Sequence, residues 1–345
     1  MSARDIVNAM ELLDEDLILE AKKTPRKRRI SYRKFFLLAA VIALLGTLML
    51  SAVAAADKAG WFRDMFAGQS DTELTPRQET FIRDNTVAIG SSQTQNGYTL
   101  TLDSAFTDGK IAYFKFTLTV PDDTQLDADW YGDKYGVSLQ NEAGEPFIMH
   151  DRSGGGGKYW TNYPLEGNKN SIQLLYTEER TYIENVPPVA GHIWNIHIYG
   201  LEAGYRDDEV GLRREPLTEG CWSFEVQFPE SCERELELID EPVTIQCVLG
   251  GGPLIPGVNH TDPVEVTSFR IRALTAEICF KYAHREQING NFGEIYAVMK
   301  DGTRILLNGH FGMPNYETFT FDAPLDLDQV DHILFPDGTT LPVGG

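Results

Sequence analysis

The sequence predicts a mainly β protein on one membrane span: a short cytoplasmic helix, one transmembrane helix and two extracytoplasmic antiparallel β-sandwich domains. Three observations predict it. Residues 35–56 form a run of 22 with no charged side chain. The dipeptides Asn96-Gly97, Asp108-Gly109, Asp301-Gly302 and Asp337-Gly338 punctuate stretches of period-two alternation, the pattern of hairpins. The chain is 42% hydrophobic and 11% aromatic, too apolar for a mostly disordered polymer. Its 345 residues leave room for two or three units.

Charge separates the ends. The total is −21, from 30 Lys and Arg against 51 Asp and Glu, so no nucleic-acid partner is expected. Residues 1–34 hold nine basic and six acidic side chains, net +3, which leaves −24 for the remainder. In the tail, Ile6, Met10, Leu13 and Leu17 step by 4, 3 and 4 and line one helical face. Pro25 ends that helix before the basic run 22–34. A helix this short is marginal alone in water, and its apolar stripe calls for a partner. The acids Asp14, Glu15 and Asp16 favour a protein groove over an anionic membrane surface. A solvated tail without a partner is the other open reading.

As a helix, residues 35–56 would be about 33 Å long, enough to cross a bilayer core of about 30 Å. Eight basic residues within 22–34 fix the preceding flank in the cytoplasm. The N-terminus is therefore expected inside and residues 57–345 outside. Ala52-Val53-Ala54 and Ala54-Ala55-Ala56 also fit a signal-cleavage pattern. The long charged leader favours an uncleaved anchor.

Residues 57–86 read as a juxtamembrane helical segment. Trp61, Phe62 and Phe66 are expected in the aromatic belt of the membrane interface. Thr75 reads as a helix N-cap, Pro76 as the first helical residue and Gln78 as the reciprocal capping partner. Residues 87–240 form the membrane-proximal β domain. Tyr98, Leu100, Leu102 and Phe106 share one parity, Ile111, Tyr113 and Lys115 alternate with Ala112, Phe114, Phe116 and Leu118, and Trp222, Phe224, Val226 and Phe228 form a one-face stripe. Further strands are expected at 136–139, 171–176, 192–199 and 243–249. Residues 241–262, rich in glycine and proline, read as a linker. Residues 263–345, with some six strands, have the size of one immunoglobulin-like domain.

The chemistry is sparse. No HExxH, GxSxG or phosphate-cradle pattern occurs. Ser31 to Lys34 matches SxxK by letter only. His192 and His197 differ by five, so on a strand they face opposite ways. Asp127, Asp129 and Asp133 imitate the start of a calcium loop, yet Tyr131 and Ser138 occupy positions that need ligands. Cys221, Cys232, Cys247 and Cys279 allow three disulfide connectivities or buried thiols. No catalysis, cofactor or metal is expected.

The stretches NAMELLDEDLILEA (8–21), GYTLTLDSAFTDGKIAYFKFTLTV (97–120), GCWSFEVQF (220–228) and LDLDQVDHILFPDGTTLPV (325–343) together resemble a group of Firmicutes single-pass membrane proteins similar to anti-sigma factors. The resemblance implies a transmembrane regulator: an inside helix that holds a sigma factor of the extracytoplasmic-function type, and outside a domain of unknown function followed by an immunoglobulin-like domain. Zinc-binding anti-sigma domains use His and Cys, and residues 1–34 contain neither. The alternative is a passive, membrane-anchored envelope-binding module for a polysaccharide, peptide or protein. Trp130, Tyr131, Tyr159, Trp160 and Tyr163 would then carry binding of the unknown extracytoplasmic ligand. A secreted hydrolase has only the acidic surface in its favour. A net −24 outside disfavours an anionic ligand.

Overall fold

A computed structural model of the chain describes residues 60–69, 73–147, 158–165, 168–180, 188–207, 211–248, 261–282, 294–313 and 315–343. The chain divides into two units, Met1–Ala52 and Val53–Gly345, and every described residue belongs to the second. Residues 35–56 lie outside the described ones. Among the described residues no helix is long and apolar enough to cross a membrane.

Helix α1 covers residues 60–69, and α2 covers Pro76–Asn85. Thr75 caps α2: its hydroxyl accepts from the Gln78 N–H, and the Gln78 side chain accepts from the Thr75 N–H. Nine strands follow: β1 (Thr86–Gln95), β2 (Tyr98–Thr107), β3 (Ile111–Thr119), β4 (Trp130–Asp133), β5 (Val137–Asn141), β6 (Lys158–Pro164), β7 (Ser171–Glu179), β8 (Ile193–Asp207) and β9 (Gly211–Gln227). They make two antiparallel sheets. One runs β1-β2-β3-β7-β6; in the other, β8 pairs with β9 along one edge and with β4 and β5 along the other. Leu102, Phe114, Phe116 and Tyr176 of the first sheet share a core with Trp194, Ile196, Trp222 and Phe224 of the second.

The C-terminal part adds β10 (Leu236–Glu237), β11 (Val243–Val248), β12 (Thr261–Ile271), β13 (Thr275–Tyr282), β14 (Tyr296–Met299), β15 (Arg304–Leu306), β16 (Asn308–Met313), β17 (Tyr316–Thr320), β18 (Val330–Leu334) and β19 (Thr340–Pro342). One antiparallel sheet runs β10-β12-β13-β17-β16, with β11 also on β12, and the other runs β15-β14-β18-β19. Their residues share a second core around Phe269, Ile278, Ala297 and Ile333. The strand expected at 243–249 pairs with β12, and Ile245 is fully buried in this second core.

The turn dipeptides sit where the hairpins need them. Asn96 and Gly97 take positive φ between β1 and β2, and Gly109, Gly302 and Gly338 do so at their own turns. The expectation that Phe106 shares a face with Leu100 and Leu102 is corrected. Asp103 is an extra residue between the pairs Leu102↔Phe116 and Ser104↔Lys115. This bulge shifts the parity of β2. Leu100 and Leu102 face the shared core, whereas Phe106 stands on the opposite face with Tyr113.

That opposite face decides where the helices go. Phe106, Ile111 and Leu175 form an apolar patch, and Phe62, Met65, Phe66 and Ile82 cover it. The interface-belt expectation is corrected accordingly: Phe62 and Phe66 are buried on the sheet, and Trp61 donates its indole N–H to Gln173 at 3.0 Å. Burying two phenylalanines stabilises the docked helix by roughly 1.5–3 kcal/mol each.

Candidate functional site

The candidate partner-binding residues Ile6, Met10, Leu13 and Leu17 lie outside the described residues, as do Ser31 to Lys34, His150, His260 and His284. The other candidates divide into packed groups, a buried junction and one open face.

The five aromatics expected at a binding surface are mostly packed. Tyr131 and Trp160 are buried, and Trp130 and Tyr163 are half-buried, which leaves Tyr159 as the exposed member. Trp160 lies against Phe116 and Tyr176 and donates to Asp133 at 2.7 Å. Burial pushes the Tyr131 phenol up to about 12, and its oxygen accepts from the Ala128 N–H. Trp130 is folded back over Gly132, where a Cβ would come within 2.4 Å of its ring. Core packing claimed these rings because β4 and β6 are strands with inward positions.

The acidic loop is likewise spoken for. Asp127 accepts from the Tyr205 hydroxyl, Asp129 from the Arg206 N–H and Asp133 from Trp160. No group of three or more His, Cys, Asp or Glu that could hold a metal occurs among the described residues. His192 pairs with Glu142 and His197 with Ser223, so the two histidines serve different neighbours. Cys221 and Cys279 are free thiols, and Cys232 is buried in the N-terminal core.

The most concentrated chemistry is where the β2–β3 turn enters the C-terminal sheets. One Asp108 carboxylate oxygen accepts from the Lys110 and Ile111 N–H groups, closing the turn. Its other oxygen accepts from the Leu274 N–H at 3.0 Å and the Thr275 hydroxyl at 2.8 Å. The Lys110 ammonium, 4% exposed, donates to Glu277 at 2.6 Å and to the Tyr316 hydroxyl at 2.7 Å. Arg272 holds the other Glu277 oxygen, and Tyr316 donates to the first. Burial alone would raise the Glu277 carboxyl, but Lys110 and Arg272 outweigh it and hold it at about 2. Burial pushes the Lys110 ammonium down against the opposing pull of Glu277. The charges of the network are spent on one another, and it joins two sheet systems; its role is architectural. Sequence reasoning missed it because Lys110 and Glu277 are 167 residues apart.

The open face belongs to the β5-β8-β9 sheet. Register sets Ser138, His197 and Ser223 abreast, and Gln140, Asn195 and Glu225 abreast. Tyr199 pairs with Cys221, and Ile193 with Gln227. The alternate residues Leu139, Trp194, Ile196, Ile198, Trp222 and Phe224 point into the core, so these ten point away from it. Ile193 is 42% exposed, Tyr199 40% and neighbouring Tyr135 62%. His197 Nδ1 meets the Ser223 hydroxyl at 2.8 Å, and its ring tilts against Tyr199. No carboxylate orients His197 among the described residues, so the pair lacks the third member of a hydrolytic triad. The free edge of β9 is closed by β1: the Gln93 and Gln95 amides bond the backbone of Ser223 and Cys221.

No protein-family model and no curated protein matches the chain. Among solved structures, the crystal structure of the conserved domain protein from Bacillus anthracis is similar over 76% of this chain and 80% of that chain, at 13% identity and a TM-score of 0.44.

Proposed function

We propose that the chain is a single-pass membrane regulator resembling an anti-sigma factor. Residues 35–56 cross the bilayer, and Ile6, Met10, Leu13 and Leu17 grip a cytoplasmic sigma factor. The two sheet systems outside, read as β-sandwiches with the second immunoglobulin-like, receive the envelope signal. What supports this reading is the seat of α1. The helix that follows the apolar run after only a few residues is fastened to the β body through Phe62 and Phe66. Its cluster also includes Leu274, in the turn between β12 and β13 of the C-terminal part. A displacement of either sheet system would therefore be passed to the segment beside the membrane. A passive tether would need no such fastening.

The test is a pull-down from native membranes with the intact tail as bait, beside a Leu13→Asp/Leu17→Asp tail. Capture of one sigma factor by the intact tail alone is the expected result. Capture of no sigma factor by either tail would overturn the regulatory reading and leave an anchored binding module.

A further inference from the structure

We propose that the outward face of the β5-β8-β9 sheet binds a neutral glycan chain laid along β8. The inference supplies a ligand class for the outside region of the proposed regulator and rests on that reading only for its setting.

Charge is the first argument. In a chain with 23% charged residues and a net −21, this face carries one carboxylate, Glu225, and no lysine or arginine. A solvated strand face in an acidic protein ordinarily displays charge, which keeps it soluble and discourages sheet association. Here the positions hold Ser138, Gln140, Asn195, His197 and Ser223, groups that both donate and accept hydrogen bonds, or can do so, without formal charge. At these positions an anionic polymer would find no cation, and the neighbouring Lys134 is paired with Glu219. A string of hydroxyls and acetamides would find complementary partners.

Shape is the second argument. The β8 row begins at Ile193 and ends at Tyr199, two exposed apolar side chains with Asn195 and His197 between them. The six steps from Ile193 to Tyr199 span about 20 Å, long enough for several sugar rings in a row. A tyrosine face accepts the C–H edge of a pyranose, as an apolar body with a polar tip. Tyr135 extends this platform; Lys134 sits 4.6 Å from its ring centroid and Glu219 accepts from its hydroxyl. The Tyr135 ring packs over Gly200, where a Cβ would lie 3.1 Å from it. The face is also stiff. Trp194, Ile196, Ile198 and Trp222 are fully buried directly beneath, and His197 is fixed by Ser223. Binding groups held before the ligand arrives lose little freedom on binding. The small apolar area argues against a protein partner, whose interface would need a larger desolvated centre.

The test titrates the full chain in detergent with cellohexaose, with chitohexaose and with a sulfated heparin hexasaccharide. At least one neutral hexasaccharide should bind and the sulfated one should not. Tyr199→Ala should weaken binding about tenfold and Asn195→Ala several-fold, with unchanged melting. Leu212→Ala, an exposed apolar side chain off this face, should leave affinity unchanged. Failure of both neutral hexasaccharides, equal binding of the sulfated one, or full affinity in Tyr199→Ala would overturn the proposal. The tail pull-down is independent of this titration, so either reading can fail alone.

Discussion

The buried junction and the open sheet face invert each other's chemistry. At the junction, Lys110, Glu277 and Arg272 bring formal charge into an interior where it is costly. On the face, neutral amides and hydroxyls meet water where charge would cost nothing. The contrast teaches how a polar group is spent. Every junction group has a partner at fixed geometry, so its polarity is used up in setting how two sheet systems meet. The face groups keep hydrogen-bonding capacity in hand, which is what a ligand site requires.

Three experiments probe this contrast. The largest effect is expected from Glu277→Gln, which strands the Lys110 charge in the interior and leaves Arg272 with Glu235 as its ion-pair partner. It should cost about 3–5 kcal/mol, read as a lower urea midpoint at unchanged slope. The same carboxylate gives a pH signature. Its folded value, about 2, lies below the ordinary 4.5, so its stabilisation is complete above pH 4.5 and is lost as the pH falls toward 2. Glu277→Gln should abolish that acid-side slope, and retention of the slope would assign it elsewhere.

Next is Glu317, whose carboxyl burial raises from 4.5 to about 7. Between those values the folded chain keeps a proton that the unfolded chain releases, so stability falls as pH rises. Glu317→Gln should flatten this part of the urea-midpoint profile between pH 5 and 8. The smallest effect is expected on the open face. Tyr199→Ala and Gln140→Ala should each shift stability by less than about 0.5 kcal/mol. A larger loss at either would mean that the face has structural duty and is less free for a ligand than proposed.

Local features were legible in the sequence, and long-range ones were not. The Thr75 cap, the Asn96-Gly97 turn and the Trp222 to Phe228 stripe each follow from neighbours within a few residues. The alternation of β3 also placed Tyr113 and Phe114 on opposite faces correctly. Short-range pattern missed β4 and β6, where a tryptophan-bearing acidic loop and a post-glycine aromatic run became strands. It placed Phe62 and Phe66 in the aromatic belt of the membrane interface because nothing near them announces the apolar patch of Phe106 and Leu175 that they cover. The open face was half legible. Ser223, Glu225 and Gln227 read as the outer side of a strand, but the registry of Ser223 with His197 and Ser138 depends on pairings 26 and 59 residues apart in the chain.

Asp103 gives β2 something like a change of reading frame. Upstream of it the even-numbered letters spell one core; downstream they spell the cover for the helices. The residue itself is polar and accepts from the Thr117 hydroxyl, so by chemistry it looks replaceable. The offset lies in the count alone: with Asp103 excised, Ser104 would follow Leu102 in strict alternation, and Ala105 and Phe106 would keep the faces they hold. The text therefore survives the loss of this one letter, and a version of the hairpin one residue shorter would read in a single frame from end to end.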